Sequence, residues 1–188
     1  MHDLVTLAAA PMRAVLRGIT DDQLAAPTPC AEFDVRTLLD HLLTWGPTLV
    51  GSAYGRAVPP ASGAFGDWRD GLDRQLDAVI AGWSRPEAWL GTTSMATIEL
   101  PAATVGGMVV GELVVHGWDL ARATDQGPVW PSTVLEPLHE EIARTAVQAR
   151  EMHVYGPEVP VSADAPTLDR LLGLTGRDPQ WTTSSVLR

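Results

Sequence analysis

Lysine is absent from this 188-residue sequence, and so is asparagine. The 13 basic side chains behind a net charge of −10 are therefore all arginines, set against 23 acidic residues. None of the arginines cluster, which excludes the basic footprint of a nucleic-acid binder and attraction to an anionic membrane surface. Cys30 is the single cysteine. It can form no intrachain disulfide, in keeping with a reducing compartment. No uninterrupted apolar run approaches the roughly 18–20 residues that cross a bilayer. The opening Met1-His2-Asp3-Leu4 lacks the basic region and small-residue cleavage site of a secretory signal. These absences together predict a cytoplasmic protein. Missing too are Gly-x-Gly-x-x-Gly, a Walker loop, Gly-x-Ser-x-Gly and Cys-x-x-Cys, which removes the commonest nucleotide and hydrolase readings. Gly106-Gly107 is too short a signal for phosphate binding.

What is present is a helical pattern. With 45% hydrophobic residues the chain can fill a real core, and its length predicts a single domain over 1–188. Apolar stripes predict helices over about Asp3–Ile19 (Leu4, Leu7, Ala8, Met12, Val15, Leu16) and Asp34–Ala53. Further helices follow over Trp68–Trp83, about Ala102–Asp125 and Ser132–Arg150, with a last turn or two at Thr167–Leu174. Pro11 and Gly46-Pro47 read as kinks, 55–66 as a Pro/Gly/Ser-rich loop, and Met95–Leu100 as a short strand. Long helices joined by loops predict an all-α four-helix bundle with additional short helices and at most a minor strand pair. In such bundles, sites are built from side chains on facing helices.

The most informative residues lie in the fourth helix. Glu112 and His116 stand one turn apart on a face shared with Val105, Met108, Val109, Leu113, Leu120 and Ala123, a face that should be core. A buried glutamate needs a partner, and an imidazole one turn away suggests a divalent metal. His41 shares an inward stripe with Leu38, Leu42, Trp45 and Leu49, after Asp34 as helix cap. On facing helices His41, Glu112 and His116 would make a His2Glu set with a vacant fourth position, the pattern of a catalytic zinc site. The plain alternative is a satisfied core histidine beside a helical ion pair.

Other polar residues have two readings each. Asp119, three residues after His116, either hydrogen-bonds a ligating histidine or pairs with Arg122 in solvent. Arg122 either anchors an anionic substrate or caps helix carbonyls. Cys30 has nothing basic beside it in sequence and reads as a packing cysteine rather than a nucleophile. Trp45 and Trp118 read as core before cavity wall, His139 as solvated, and His2 as terminal.

Three separated segments, TPCAEFDVRTLLDHLLTW, GELVVHGWDLARATDQ and the tail YGPEVPVSADAPTLDRLLGLTGRDPQW, resemble a known family. It is the metal-binding domain of mycothiol-dependent maleylpyruvate isomerases, within the wider DinB/YfiT-like group. The tail resembles a single-domain actinobacterial branch, and the scarcity of Lys and Asn fits a high-G+C genome. The resemblance implies an up-down-down-up four-helix core with the metal on His41, Glu112 and His116. Zinc is the expected ion, with nickel as an occupant a purified sample can acquire, and a low-molecular-weight thiol as co-substrate. Transfer or isomerisation of a small-molecule electrophile by an activated thiol is the leading expectation. Water at the open position would instead give a metal-dependent hydrolase, and a non-catalytic metal-binding or interaction module is the rival. The full isomerases carry an additional C-terminal domain, for which this chain has no room. Neither nucleic acid nor membrane is an expected partner; a homodimer is compatible with the bundle.

Overall fold

The computed structural model describes residues 3–63 and 66–183. It is mainly α-helical, with one antiparallel strand pair. Helix α1 (Leu4–Gly18) buries Val5, Ala8, Ala9, Met12, Val15 and Leu16, a single stripe that runs straight past Pro11. Leu4 lies only at the edge of that stripe, and Leu7 faces solvent. Helix α2 (Val35–Ser52) starts where Asp34, in extended conformation, accepts the Thr37 amide at 2.8 Å, and Pro47 sits within it. Helix α3 (Trp68–Trp83) is capped in the same way by Asp67. Its inward stripe is Trp68, Leu72, Leu76, Val79 and Trp83.

Strands β1 (Thr92–Met95) and β2 (Ile98–Pro101) pair antiparallel, with Met95 opposite Ile98. The segment expected as one strand therefore contains the turn, which Ala96 makes at φ 54°. Helix α4 (Ala102–Gly111) follows at once. The single helix expected to about Asp125 is interrupted: Glu112–His116 forms one turn of π-helix before α5 (Gly117–Ala123). Met108, expected in the core, is exposed, because the edge of α4 that leads to Glu112 forms the rim of the bundle. Helix α6 (Ser132–Glu151) and helix α7 (Thr167–Leu174) follow.

Packing produces the bundle. Helix α1 lies against α3 and against α4, the π turn and α5, while α2 lies against α3 and α4. Helix α6 packs against α4, α1 and α7. Three buried tryptophans tie these layers, each donating its indole N–H to a backbone carbonyl. Trp83 donates to the Leu49 carbonyl at 2.9 Å, Trp89 to Trp83 at 2.7 Å and Trp130 to Ala8 at 3.1 Å. No helix of the described residues is long and apolar enough to cross a membrane.

Gly106 marks the tightest contact of α4. A Cβ there would lie 2.4 Å from the Trp89 ring, which is buried and hydrogen-bonded and so has nowhere to move. Overpacking of this kind costs about 1–3 kcal/mol, more than the helix-propensity gain of up to about 1 kcal/mol from removing a glycine. Gly106→Ala should therefore lower the denaturant midpoint, whereas Gly127→Ala, which opens into free space, should not. An unchanged midpoint for Gly106→Ala in urea titration would show that Trp89 is not fixed.

Candidate metal centre

His41 projects from the second turn of α2, and Glu112 and His116 from the two ends of the π turn. The α2–α4 packing brings them together. His41 Nε2 and His116 Nε2 each lie 3.6 Å from the same atom, Glu112 Oε2. The two rings meet edge to face with centroids 5.2 Å apart, and the Phe33 ring lies tilted against His41 at 5.2 Å. A candidate ligand atom from each of the three residues lies within 4.8 Å of the others.

Those separations are too long for hydrogen bonds. Glu112 Oε2 is buried and has no hydrogen-bond partner among the described residues, although the glutamate side chain as a whole is 31% exposed. A buried carboxylate oxygen without a donor carries the desolvation penalty of an unmade hydrogen bond. Two donors held at tetrahedral angle about 2.1 Å from one ion stand about 3.4 Å apart, close to the spacing found here. The set of two imidazole nitrogens and one carboxylate oxygen thus fits a divalent ion in spacing as well as in chemistry.

The electrostatics of the metal-free cluster point the same way. Burial pushes the Glu112 carboxyl up, but the imidazoles of His116 and His41 outweigh it and hold the carboxyl below its ordinary value. Burial pushes His116 down, yet Glu112 and Asp119 outweigh that and raise it. The cluster thus favours positive charge beside its carboxylates.

Behind His116 lies a second carboxylate. Asp119 is fully buried and its Oδ2 is 3.0 Å from His116 Nδ1. It does not pair with Arg122, whose guanidinium donates instead to the Trp181 carbonyl and lies over Trp118, itself buried in the core. The partner of Asp119 is Arg177, 58 residues on, with Nη2 at 3.1 Å from Oδ2 and Nε at 3.4 Å from Oδ1. Sequence reading gave Arg177 no role, because nothing local links it to the fourth helix.

Cys30, His116 and Asp119 form another group with the spacing of metal ligands. That group is already satisfied: Asp119 accepts from His116 and Arg177, and a buried guanidinium would repel a cation there. His41, Glu112 and His116 are the better donor set. Cys30 itself sits in a loop tied by Thr28, whose hydroxyl bonds the Cys30 and Phe33 carbonyls. Trp45 lines a narrow cavity of about 30 Å³ with Glu112, Leu42, Gln75 and Val109. His139 is half-buried rather than solvated; burial and Arg170 of α7 lower its pKa. His153 is exposed, and His2 lies outside the described residues.

Burial pushes the Cys30 thiol up to about 11, only partly offset by Arg177. At about pH 8 roughly one such thiol in a thousand is ionised, against about a quarter for an ordinary cysteine. Alkylation of the metal-free protein by iodoacetamide should accordingly run about two orders of magnitude slower than that of a free thiol. Its rate should rise about tenfold per pH unit from pH 7 to 9.5. A plateau below pH 9 would mean that Cys30 is an activated thiolate after all.

Residues 5–64, which include His41, match the family model described as the mycothiol maleylpyruvate isomerase N-terminal domain. Two uncharacterized proteins of Mycobacterium tuberculosis, MT0763 of strain CDC 1551 / Oshkosh and Rv0738 of strain ATCC 25618 / H37Rv, are each 28% identical to the chain over 170 residues. Those alignments cover 87% of this chain and 90% of each relative. No solved structure matches. The chain thus resembles the mycothiol maleylpyruvate isomerase N-terminal domain over residues 5–64, and mycobacterial proteins over most of its length.

Proposed function

We propose that His41, Glu112 and His116 hold one divalent ion, zinc by the nature of the donors, and that the protein uses it in thiol-dependent transfer or isomerisation. The observation that carries this reading is Glu112 Oε2, a buried carboxylate oxygen without a donor, held equally far from two imidazole nitrogens. With three protein ligands and an open position, such an ion would lower the pKa of a thiol bound beside it. The likeness of residues 5–64 to a mycothiol maleylpyruvate isomerase domain suggests mycothiol, or a thiol of its kind, as that co-substrate.

The chain's own residues have separable tasks in this scheme. His41 and Glu112 form the more exposed side of the cluster, at 24% and 31%, while His116 at 11% forms its floor. A thiol and a small electrophile would approach from the exposed side, since the cavity behind Glu112 has room for about one water. Phe33 lies against His41 and adds apolar surface beside the cluster, while Trp45 walls the cavity. Asp119 orients His116 from behind, as carboxylates commonly do for ligating histidines.

The metal-free protein should take up one equivalent of zinc in calorimetric titration. His116→Ala or His41→Ala should weaken that binding by more than about 100-fold, beyond the usual effect of losing an outer partner. Cys30→Ser should leave it almost unchanged. Because a ligating imidazole must give up its proton, affinity should rise with pH. The proton held on His116 by Glu112 and Asp119 shifts the midpoint of that rise above the ordinary imidazole value of about 6.5. Addition of a thiol to the cobalt-substituted protein should change its visible spectrum. Failure to bind zinc would overturn the metal reading, and a cobalt spectrum indifferent to thiols would overturn the thiol chemistry while leaving the metal.

A further inference from the structure

The chain after α7 is turned back into the bundle by its own sequence. Gly176 adopts φ +84° just past the helix end. Its amide donates to the Gly173 carbonyl at 3.1 Å, and the Arg177 amide donates to the Leu172 carbonyl at 3.0 Å. This pair of bonds, closed by a glycine in the left-handed region, is the Schellman termination of a helix. It delivers the Arg177 side chain inward. There Nη1 donates to the Thr175 carbonyl at 2.9 Å, while Nε and Nη2 grip both oxygens of Asp119. The guanidinium is buried, and it is the counterion of a carboxylate with no solvent exposure at all.

That grip has a consequence at the cluster. A carboxylate paired side-on with arginine can only accept hydrogen bonds, so the His116 nitrogen facing it at 3.0 Å must be the donor. In the neutral form that a ligand must take, His116 then keeps its proton on Nδ1 and turns its Nε2 lone pair toward Glu112. We propose that Arg177 is a positioning residue of this site, which through Asp119 locks the orientation and tautomer of His116 and so ties the C-terminal segment to the metal centre. This inference rests on the metal reading for its consequence and on hydrogen-bond geometry alone for its cause.

The two parts are tested separately. In the metal-free protein labelled with ¹⁵N-histidine, wild type should show a slowly exchanging His116 Nδ1–H resonance, absent in His116→Ala and in Arg177→Met. In zinc titrations Arg177→Met should bind about 10–100-fold more weakly, the usual effect of losing an outer partner of a ligating histidine. Arg177→Lys should recover part of the loss, because a point charge can hold one carboxylate oxygen but not both. Asp119→Asn should weaken binding similarly, and the double variant Asp119→Asn/Arg177→Met should bind no worse than Asp119→Asn, since both act by one route. An Arg177→Met protein that keeps the Nδ1–H resonance and full zinc affinity overturns the proposal. So does a double variant whose losses simply add. Should Arg177→Met fail to fold, Arg177→Lys and Asp119→Asn decide by the same resonance and titration. If wild type binds no zinc, the metal reading fails, and the Nδ1–H resonance still decides whether Arg177 positions His116.

Discussion

A charged carboxylate taken out of water must be compensated where it stands, because the desolvation cost of an uncompensated one is several kcal/mol. This fold places two carboxylates from a single helical run, Glu112 and Asp119, against its apolar core, and compensates them differently. Asp119 is compensated completely, by an imidazole on one side and a guanidinium on the other. Glu112 keeps one oxygen buried without a donor, between two imidazoles that stand too far away to bond it. The contrast argues that the two acids serve different ends. Asp119 belongs to the frame, whereas the unmet oxygen of Glu112 is the one on which the proposed ion-binding role rests.

The π turn explains how one short stretch can serve both. In it each bond reaches one residue further than in an α-helix, which widens the helix locally and displaces the residues after it. Such turns recur at functional sites for this reason. Here the widened turn begins at Glu112 and ends at His116, and the ordinary helix resumes at Gly117, so that His116 and Asp119 keep the three-residue spacing that lets them bond. Small residues bound it: Gly117 accepts the close approach of Trp130, where a Cβ would stand 2.9 Å from the ring. The geometry at His116 therefore depends on packing against α1 and the Trp130 segment as much as on its own sequence.

Much of this was legible in the sequence, and the reasons are local. Asp34 and Asp67 cap helices because their carboxylates meet free amides, and stripes such as Trp68-Leu72-Leu76-Val79-Trp83 name a buried face without knowledge of what covers it. The nearness of His41 to Glu112 and His116 follows from the same stripes, once two helices are taken to face each other. What escaped was set by tertiary contact. The π turn cannot be read from Glu-Leu-Val-Val-His, whose residues suit an α-helix equally well. Met108 shares the spacing of core residues and is exposed, because the bundle leaves that edge of α4 uncovered. Arg177 lies 58 residues from Asp119, and only the Leu-Thr-Gly-Arg helix ending hinted that its side chain would turn inward.

The likeness to known proteins and the geometry of the cluster bear on function from different directions. The matched family model spans residues 5–64 and so contains one of the three candidate ligands, His41. Glu112, His116, Asp119 and Arg177 all lie beyond it, and they converge on His41 only in the folded chain. A family likeness alone would license the helical scaffold and leave the site a matter of analogy. The cluster is argued without that analogy, from an orphaned oxygen, two facing imidazoles and the contact between His116 and Asp119. Its completeness depends on a tail residue far from the matched segment. Were the proposed ion bound, its hold would therefore depend on that tail residue as well as on the three donors.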